Sequence, residues 1–494
     1  VTLDPRSPVI IGAGQFLQRT ADIADALDAS ALMAEAIRAA AADAGLSGVP
    51  EPESLRVVSQ LSWRYGNAPA VVAGHLGLTP ADLAYTTNGG NSPQSLVNVT
   101  AAEIQAGDLD LAILAGGEAF RTRMRARAQD ITLHWPKAPE GSEPRIVGED
   151  LVMNHPDEIA RGIGMPVQVY PMFETAIRAR TGRTVEAHQV VISELWSRFS
   201  EVAASNPWAW SRVARRAEEI RTASPANRMI GFPYPKLMNS NNDVDMAAAL
   251  IVCSAEKASA LGVPRDRWVF VNAGSDCHEH QYVSNRWSFA ETPAIELGGR
   301  TALELAGLTI DDIGLVDLYS CFPSAVELGS QSLGLTLDRQ LTRTGGLPFA
   351  GGPWNNYVMH AIATMIADLR DRPGEHGLVW GNGGYTTKHA FGVYSTEPAA
   401  HGFRHAYPQD RIDAMPRREV VGPADAAGPA VVEAYTVMHS RQGLPETAIA
   451  SCLLGDGRRA WGTSADTALA EAMCQGEWVG RGVRLDAGGV LDAG

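Results

Sequence analysis

Along the chain, short continuous apolar runs alternate with longer segments whose apolar residues recur at helical spacing, and the alternation comes round twice. In the first round a helix is predicted from Ala31 to Ala44. It ends at "AGL" (Ala44 to Leu46), and the strand-like run "LRVVSQL" follows at Leu55. A glycine-rich loop, "AYTTNGGNSPQSLVN" from Ala84, then leads into a predicted helix "SLVNVTAAEIQAG" and a strand "LAILAGG" ending on Gly116 and Gly117. In the second round a helix around Ala302 again ends at "AGL" (Ala306 to Leu308), followed by the strand "GLVDLY". The loop "TGGLPFAGGPWNN", the helix "YVMHAIATMIADL" and the strand "GLVWGNGG" complete it. Gly90 to Gly117 spans 27 residues and Gly352 to Gly384 spans 32, so the two rounds agree in spacing as well as in order.

Both helices that follow the glycine loops carry few charges: "SLVNVTAAEI" has only Glu103 and "YVMHAIATMI" has none. A helix apolar nearly all round is a buried one. The predicted fold class is therefore α/β, with two duplicated, layered halves that each enclose a central helix. The expected boundaries are 1–265 for the first half, with an insertion at about 120–235, and 266–405 for the second. "WVFVNAGS" from Trp268 opens the second half as "PVIIGAGQ" opens the first. The small-residue stretch "PADAAGPA" (Pro423 to Ala430) marks the end of a linker expected over 406–428. Beyond it, "VVEAYTVMH", "AIASCLLG", "RRAWGTS" and "WVGRGVRLD" read as strands, with an Asp456–Gly457 hairpin signal and one helix, "TALAEAMC". This pattern predicts a small antiparallel β-barrel of the OB type over 429–494.

Composition narrows the class of partner. The formal charge of −15 argues against nucleic acid or an anionic membrane. OB barrels often bind nucleic acid, but Ile412 to Gly494 holds seven arginines against eleven acidic residues, which favours a docking or substrate-shaping role. No long uninterrupted apolar run suggests a membrane span, and no signal peptide is visible. The five scattered cysteines form no CxxC pair, so neither a zinc ribbon nor a disulfide framework is expected, and a reducing cytoplasm fits. "GAGQF" near the N-terminus lacks the third glycine of a dinucleotide fingerprint and reads better as a tight strand–helix turn.

At the first glycine loop, Ser92-Pro93 has the order of an N-cap and first helical residue. The start of a buried helix also offers free N–H groups to a carbonyl or oxyanion, which makes Gly90, Asn91 and Ser92 candidate ligand contacts.

The order of motifs resembles the thiolase superfamily, nearest to the sterol-carrier-type thiolases and thiolase-like proteins, over roughly residues 8–400. "LYSCFPSAVELGSQSLGL" (Leu318 to Leu335) is similar to that group's His-Asp-Cys-Phe motif and the helix after it. "GGLPFAGGP" (Gly345 to Pro353) is similar to its Gly-His-Pro motif, and "NNDVDMAAALIVCSAEKASALGVP" (Asn241 to Pro264) to the strand and helix that close its first half. The resemblance places the family's nucleophilic cysteine at Gly90, the histidine that activates it at Gly352, and the residue that helps bind the thioester oxygen at Tyr319. Only Cys321, which serves as acid/base in the sterol-carrier-type group, is retained, and a lone cysteine is more often core than catalyst. Gly90 is expected to leave open space where a cysteine would project. Tyr319 and Cys321 are the candidate catalytic groups; Asn382, Gly383 and Tyr385 fall on the family's second glycine-rich catalytic loop. Of His360 and His389, the first reads as a satisfied core residue.

The resemblance implies a coenzyme A thioester as ligand, with no covalent cofactor and no metal. Nucleophile and activating histidine are both absent, so ordinary Claisen or thiolytic activity is not expected, and a binding protein for an acyl-CoA is the leading reading. Two enzymatic readings stay open. One is retro-aldol cleavage of a 3-hydroxyacyl-CoA, since thiolase-like aldolases of steroid side chains also lack the nucleophile, use tyrosines and work with an OB-fold partner. The other is an unorthodox acyl transfer. The acyl group and the oligomeric state are open.

Overall fold

The computed structural model describes residues 3–493. The first half runs β1 (Pro8–Leu17), α1 (Ala29–Asp43), β2 (Ser54–Val57), α2 (Ala68–Leu76), β3 (Asp82–Thr86), α3 (Ser92–Ala106) and β4 (Leu111–Ala119). An insertion follows, with α4 (Phe120–Ala128), β5 (Arg145–Val147), α5 (Pro156–Ala160), α6 (Pro166–Thr181), α7 (Val185–Ser205), α8 (Ala217–Arg221), β6 (Met229–Gly231) and β7 (Tyr234–Pro235). The first half closes with β8 (Asp245–Ser254) and α9 (Ala255–Ala260). The second half is β9 (Val269–His278), α10 (Pro293–Ala306), β10 (Leu315–Leu318), α11 (Pro323–Leu333), α12 (Leu347–Ala350), α13 (Tyr357–Arg370), β11 (His376–Gly383), β12 (Lys388–Ser395) and β13 (Arg404–Ala406).

The strands of the first half lie in the order β5–β3–β2–β4–β8–β1 and those of the second in the order β10–β11–β12–β9. Among the described residues the two sets join only where Val9 and Ile10 pair with Phe270 and Val269. α3 and α13 fill the space between: each packs on strands of both halves and on the other helix. α1 and α10 cover β1–β4–β8 and β9–β12 respectively, giving the expected layering with two buried central helices. The repeat is looser than the sequence reading. α2 and β3 stand between β2 and the first glycine loop, whereas α11 occupies the corresponding stretch of the second half and α12 lies within its glycine loop. The short β5 pairs in parallel with β3 and covers what would otherwise be an open sheet edge.

"GAGQF" is not a turn. It lies inside the ten-residue β1, where Gly12 and Gly14 let α1 approach: a Cβ at either position would overlap the carbonyl of Ala40 or Ala36. A strand with this close helix contact on one face has no room for side chains there.

The stretch expected as a linker carries α14 (Gln409–Asp413) and α15 (Pro423–Ala426), and Ile412 is wholly buried against Cys277, Ala294 and Leu297. Its last residue, Gly428, already belongs to β14 (Gly428–His439), which is followed by β15 (Pro445–Leu454), β16 (Arg459–Ser464), α16 (Thr467–Gln475), β17 (Gly482–Leu485) and β18 (Leu491–Asp492). The order β16–β15–β14–β17–β18 closes on itself through a bridge from Val490 to Thr463, making a barrel. β6 of the insertion adds to it beside β14, a pairing across two hundred residues with no local signal. Arg459 pins the barrel to the body: fully buried, it pairs with Glu433 and donates to the carbonyls of Ser284 and Arg286.

Candidate functional site

Between β3 and α3 the chain turns through Asn88–Asn91, held by contacts from elements distant in sequence. Asn355 Oδ1 accepts from Gly89 N–H at 3.1 Å, and Lys388 Nζ donates to the Asn88 carbonyl. Ser92 N–H donates to Gly89 O at 3.0 Å, while the N–H groups of Gly90 and Asn91 have no acceptor among the described residues. The helix cap is Asn91, with no side-chain capping bond, not Ser92 as its position before Pro93 suggested. The Ser92 hydroxyl instead donates back to Thr87 O at 3.1 Å, tightening the loop ahead of the helix.

Gly90 does not leave open space. A Cβ on Gly90 would overlap the carbonyl oxygen of Asn382 and lie 2.5 Å from the Tyr319 hydroxyl. The phenol at 319 thus stands where a side chain at 90 would project. The two departures from the thiolase pattern are linked, since the Tyr319 ring lies where even a Cβ at position 90 would project.

Gly90, Tyr319, Cys321, Asn382, Gly383 and Tyr385 meet on the wall of one cavity of about 370 Å³. Asn91 and Ser92 do not; the turn into α3 carries them to a neighbouring cavity on the other side of the loop. Gly352 is set back from the Gly90 cavity, and a Cβ there would meet Asn242 Oδ1 at 2.8 Å. His360 lies elsewhere, with Nδ1 bonded to Gln15 Oε1 at 2.8 Å and Nε2 unpartnered, so it is only half satisfied. His389 is buried, and its Nδ1 accepts from Trp380 Nε1 at 3.2 Å.

Tyr170, from α6 of the insertion, is the central polar group that the sequence reading missed. Its hydroxyl accepts from Asn382 Nδ2 (2.9 Å) and Thr386 N–H (3.1 Å), donates to Gly384 O (3.0 Å), and sits beside the Cys321 thiol. Its ring stacks on Phe322 with centroids 4.6 Å apart. Nothing in "PVQVYPMF" distinguishes this tyrosine from ordinary core composition. Trp354 was missed as well; its left-handed φ of 47° on the cavity wall is costly for a bulky residue, and loops that hold a site often store such strain.

The electrostatics are those of a neutral chamber. No charged side chain lines it. Burial pushes the Cys321 thiol up to about 12 and raises the Tyr319 and Tyr170 phenols above their ordinary range, so all three stay protonated at neutral pH. The Tyr319 hydroxyl makes no hydrogen bond with any described residue. The wall therefore offers hydrogen-bond donors but neither a thiolate nor a base. The lining also includes the apolar side chains of Met153, Met165, Val167 and Leu347. No described helix is long and apolar enough to cross a membrane.

Comparison with known proteins agrees with the fold. A family profile described as the thiolase-like protein type 1 additional C-terminal domain matches residues 408–489. The acetyl-CoA acetyltransferase of Syntrophomonas wolfei is 30% identical over 143 residues, which is 28% of this chain and about a third (33%) of that enzyme. The acetyl-CoA acetyltransferase of Methanothermobacter thermautotrophicus is 24% identical over 39% of this chain and 55% of its own length. Among solved structures, the Ltp2–ChsH2(DUF35) aldolase superposes with a TM-score of 0.59 at 19% identity, covering 79% of this chain and 98% of that one, a likeness of fold alone. The monomeric SCP2-thiolase-like protein type 1 of Mycobacterium smegmatis superposes with a TM-score of 0.83 at 31% identity, over 98% of both chains. A likeness that runs the full length of both chains, barrel included, means that this chain belongs to the SCP2-thiolase-like proteins of type 1.

Proposed function

We propose that the protein binds an acyl-CoA through its thioester end in the Gly90 cavity and holds the carbonyl without forming an acyl-enzyme. The observation that carries this reading is the Tyr319 phenol in the space of the missing nucleophile. A ligand carbonyl meeting that wall finds a free hydroxyl donor and the unpartnered N–H of Gly90, but no thiolate. The uncharged lining suits a neutral thioester and its pantetheine arm better than an acid or an amine.

Calorimetric titration with a panel of acyl-CoAs, joined to intact-mass measurement, tests it. The expected result is saturable binding with no mass shift on the protein. Tyr319→Phe should weaken binding about tenfold through loss of one hydrogen bond. A covalent acyl adduct with release of free CoA would overturn the reading.

A second reading, retro-aldol cleavage of a 3-hydroxyacyl-CoA, draws on the Tyr170 and Tyr319 phenols lining one cavity. It requires a group that takes the hydroxyl proton, and both phenols are shifted away from that role. Consumption of a 3-hydroxyacyl-CoA, followed chromatographically, would decide for it.

A further inference from the structure

On the other side of the Asn88–Asn91 loop lies a second cavity of about 380 Å³, enclosed by the first turns of α3, by β5 and the chain after it, and by β9 and β12. We propose that it binds a small apolar monocarboxylate whose charge is taken by Lys388. This does not depend on the acyl-CoA reading.

Lys388 opens β12 and is only 6% exposed. Its ammonium donates to the Asn88 carbonyl, and no carboxylate lies within ion-pair distance among the described residues; the exposed Asp150 acts on it only from a distance. An ammonium has three N–H groups, and one is satisfied here. A buried cation with no counter-charge is strongly unfavourable unless an anion joins it, and burial accordingly presses this amine's pKa downward.

The half-buried carboxylate on the cavity wall, Asp276, is already engaged. It accepts from Ser95 and from Asn98 Nδ2 at 2.7 Å, and pairs with His405 at 2.7 Å. The remaining wall includes Leu96, Val99, Val147 and Leu151. An ammonium with no ion-pair partner beside these apolar side chains matches a ligand with one negative charge and a hydrocarbon body. A phosphate fits poorly, because a second negative charge would find no cation and would meet Glu149 on the wall.

The full chain is titrated calorimetrically with sodium hexanoate, with hexanamide as the uncharged analogue and with inorganic phosphate. Saturable hexanoate binding is expected, at least about tenfold tighter than hexanamide, with no phosphate binding. Lys388→Met keeps the apolar stem and should weaken hexanoate at least about tenfold. Val147→Trp, at the short edge strand, fills the chamber and leaves the amine in place, and should abolish binding as well. It decides the matter if the Lys388 variant fails to fold. Wild-type protein that ignores hexanoate, or that binds hexanamide equally well, overturns the proposal. So does hexanoate binding that survives Val147→Trp.

Discussion

The two central helices occupy equivalent places in the two halves, yet their interiors are built on opposite terms. α3 buries Gln94, Asn98 and Thr100 and satisfies them. Gln94 Nε2 donates to Asn98 Oδ1 (2.9 Å), Tyr394 donates to Gln94 Oε1 (2.7 Å), and Asn98 Nδ2 reaches Asp276 on β9 (2.7 Å). α13 is held by apolar volume: Val358, Met359, Ala361, Ile362, Met365 and Ile366 are all fully buried. Two polar residues near its start are poorly served: both amide atoms of Asn356 and Nε2 of His360 lack partners. Gln94 and Asn98 bond to strands of the opposite half, as His360 and Thr364 of α13 bond to Gln15 on β1, but the α3 groups are the more fully paired. α13 fills space and carries an unsatisfied residue, a cost the surrounding burial offsets.

The largest expected effect comes from overfilling the entry to α3. Gly90→Leu should destabilise by about 3 kcal/mol in urea unfolding, because its side chain meets a backbone carbonyl that cannot step aside. Tyr319→Ala combined with Gly90→Ala should recover part of the cost of Gly90→Ala alone, and simple additivity in that cycle would mean that the two positions do not share one space. Asn98→Ala follows, at about 2 kcal/mol, since it breaks a buried bond to a carboxylate. A loss no larger than that of an exposed substitution would remove the contrast between the helices.

His360→Leu is the smallest, within about 1 kcal/mol at neutral pH, because the imidazole it removes is only half bonded. Its pH dependence sharpens the contrast. Burial lowers the His360 pKa to about 3, against about 6.5 when unfolded. Above the unfolded value the residue contributes no pH dependence. As pH falls from there towards 3, the unfolded chain takes up a proton that the folded protein refuses, and stability drops by up to about 1.4 kcal/mol per pH unit. Between pH 7 and pH 5 the variant should therefore lose about 2 kcal/mol less than the parent protein. Equal losses would show that His360 is protonated in the fold.

The sequence by itself determined what depends on local spacing. Apolar periodicity set the strands and helices, the scarcity of charge in "SLVNVTAAEI" and "YVMHAIATMI" placed both helices in the interior, and Asp456–Gly457 marked the turn between β15 and β16. It also brought Gly90, Tyr319, Cys321 and Asn382 into one list, because each falls on a family motif. Only the tertiary structure decided what fills the space between them. Tyr170 arrives from the insertion, and β6 joins the barrel from two hundred residues away, neither with any periodic signal. Asn91 and Ser92 follow Gly90 directly, yet they serve the other cavity. Neighbours on a tight turn point in different directions, and motif matching does not carry that rotation. Whether a glycine leaves a hole or makes room for a neighbour's ring depends on contacts between residues 90 and 319, which lie far apart in the chain and touch only once the two halves have closed on each other.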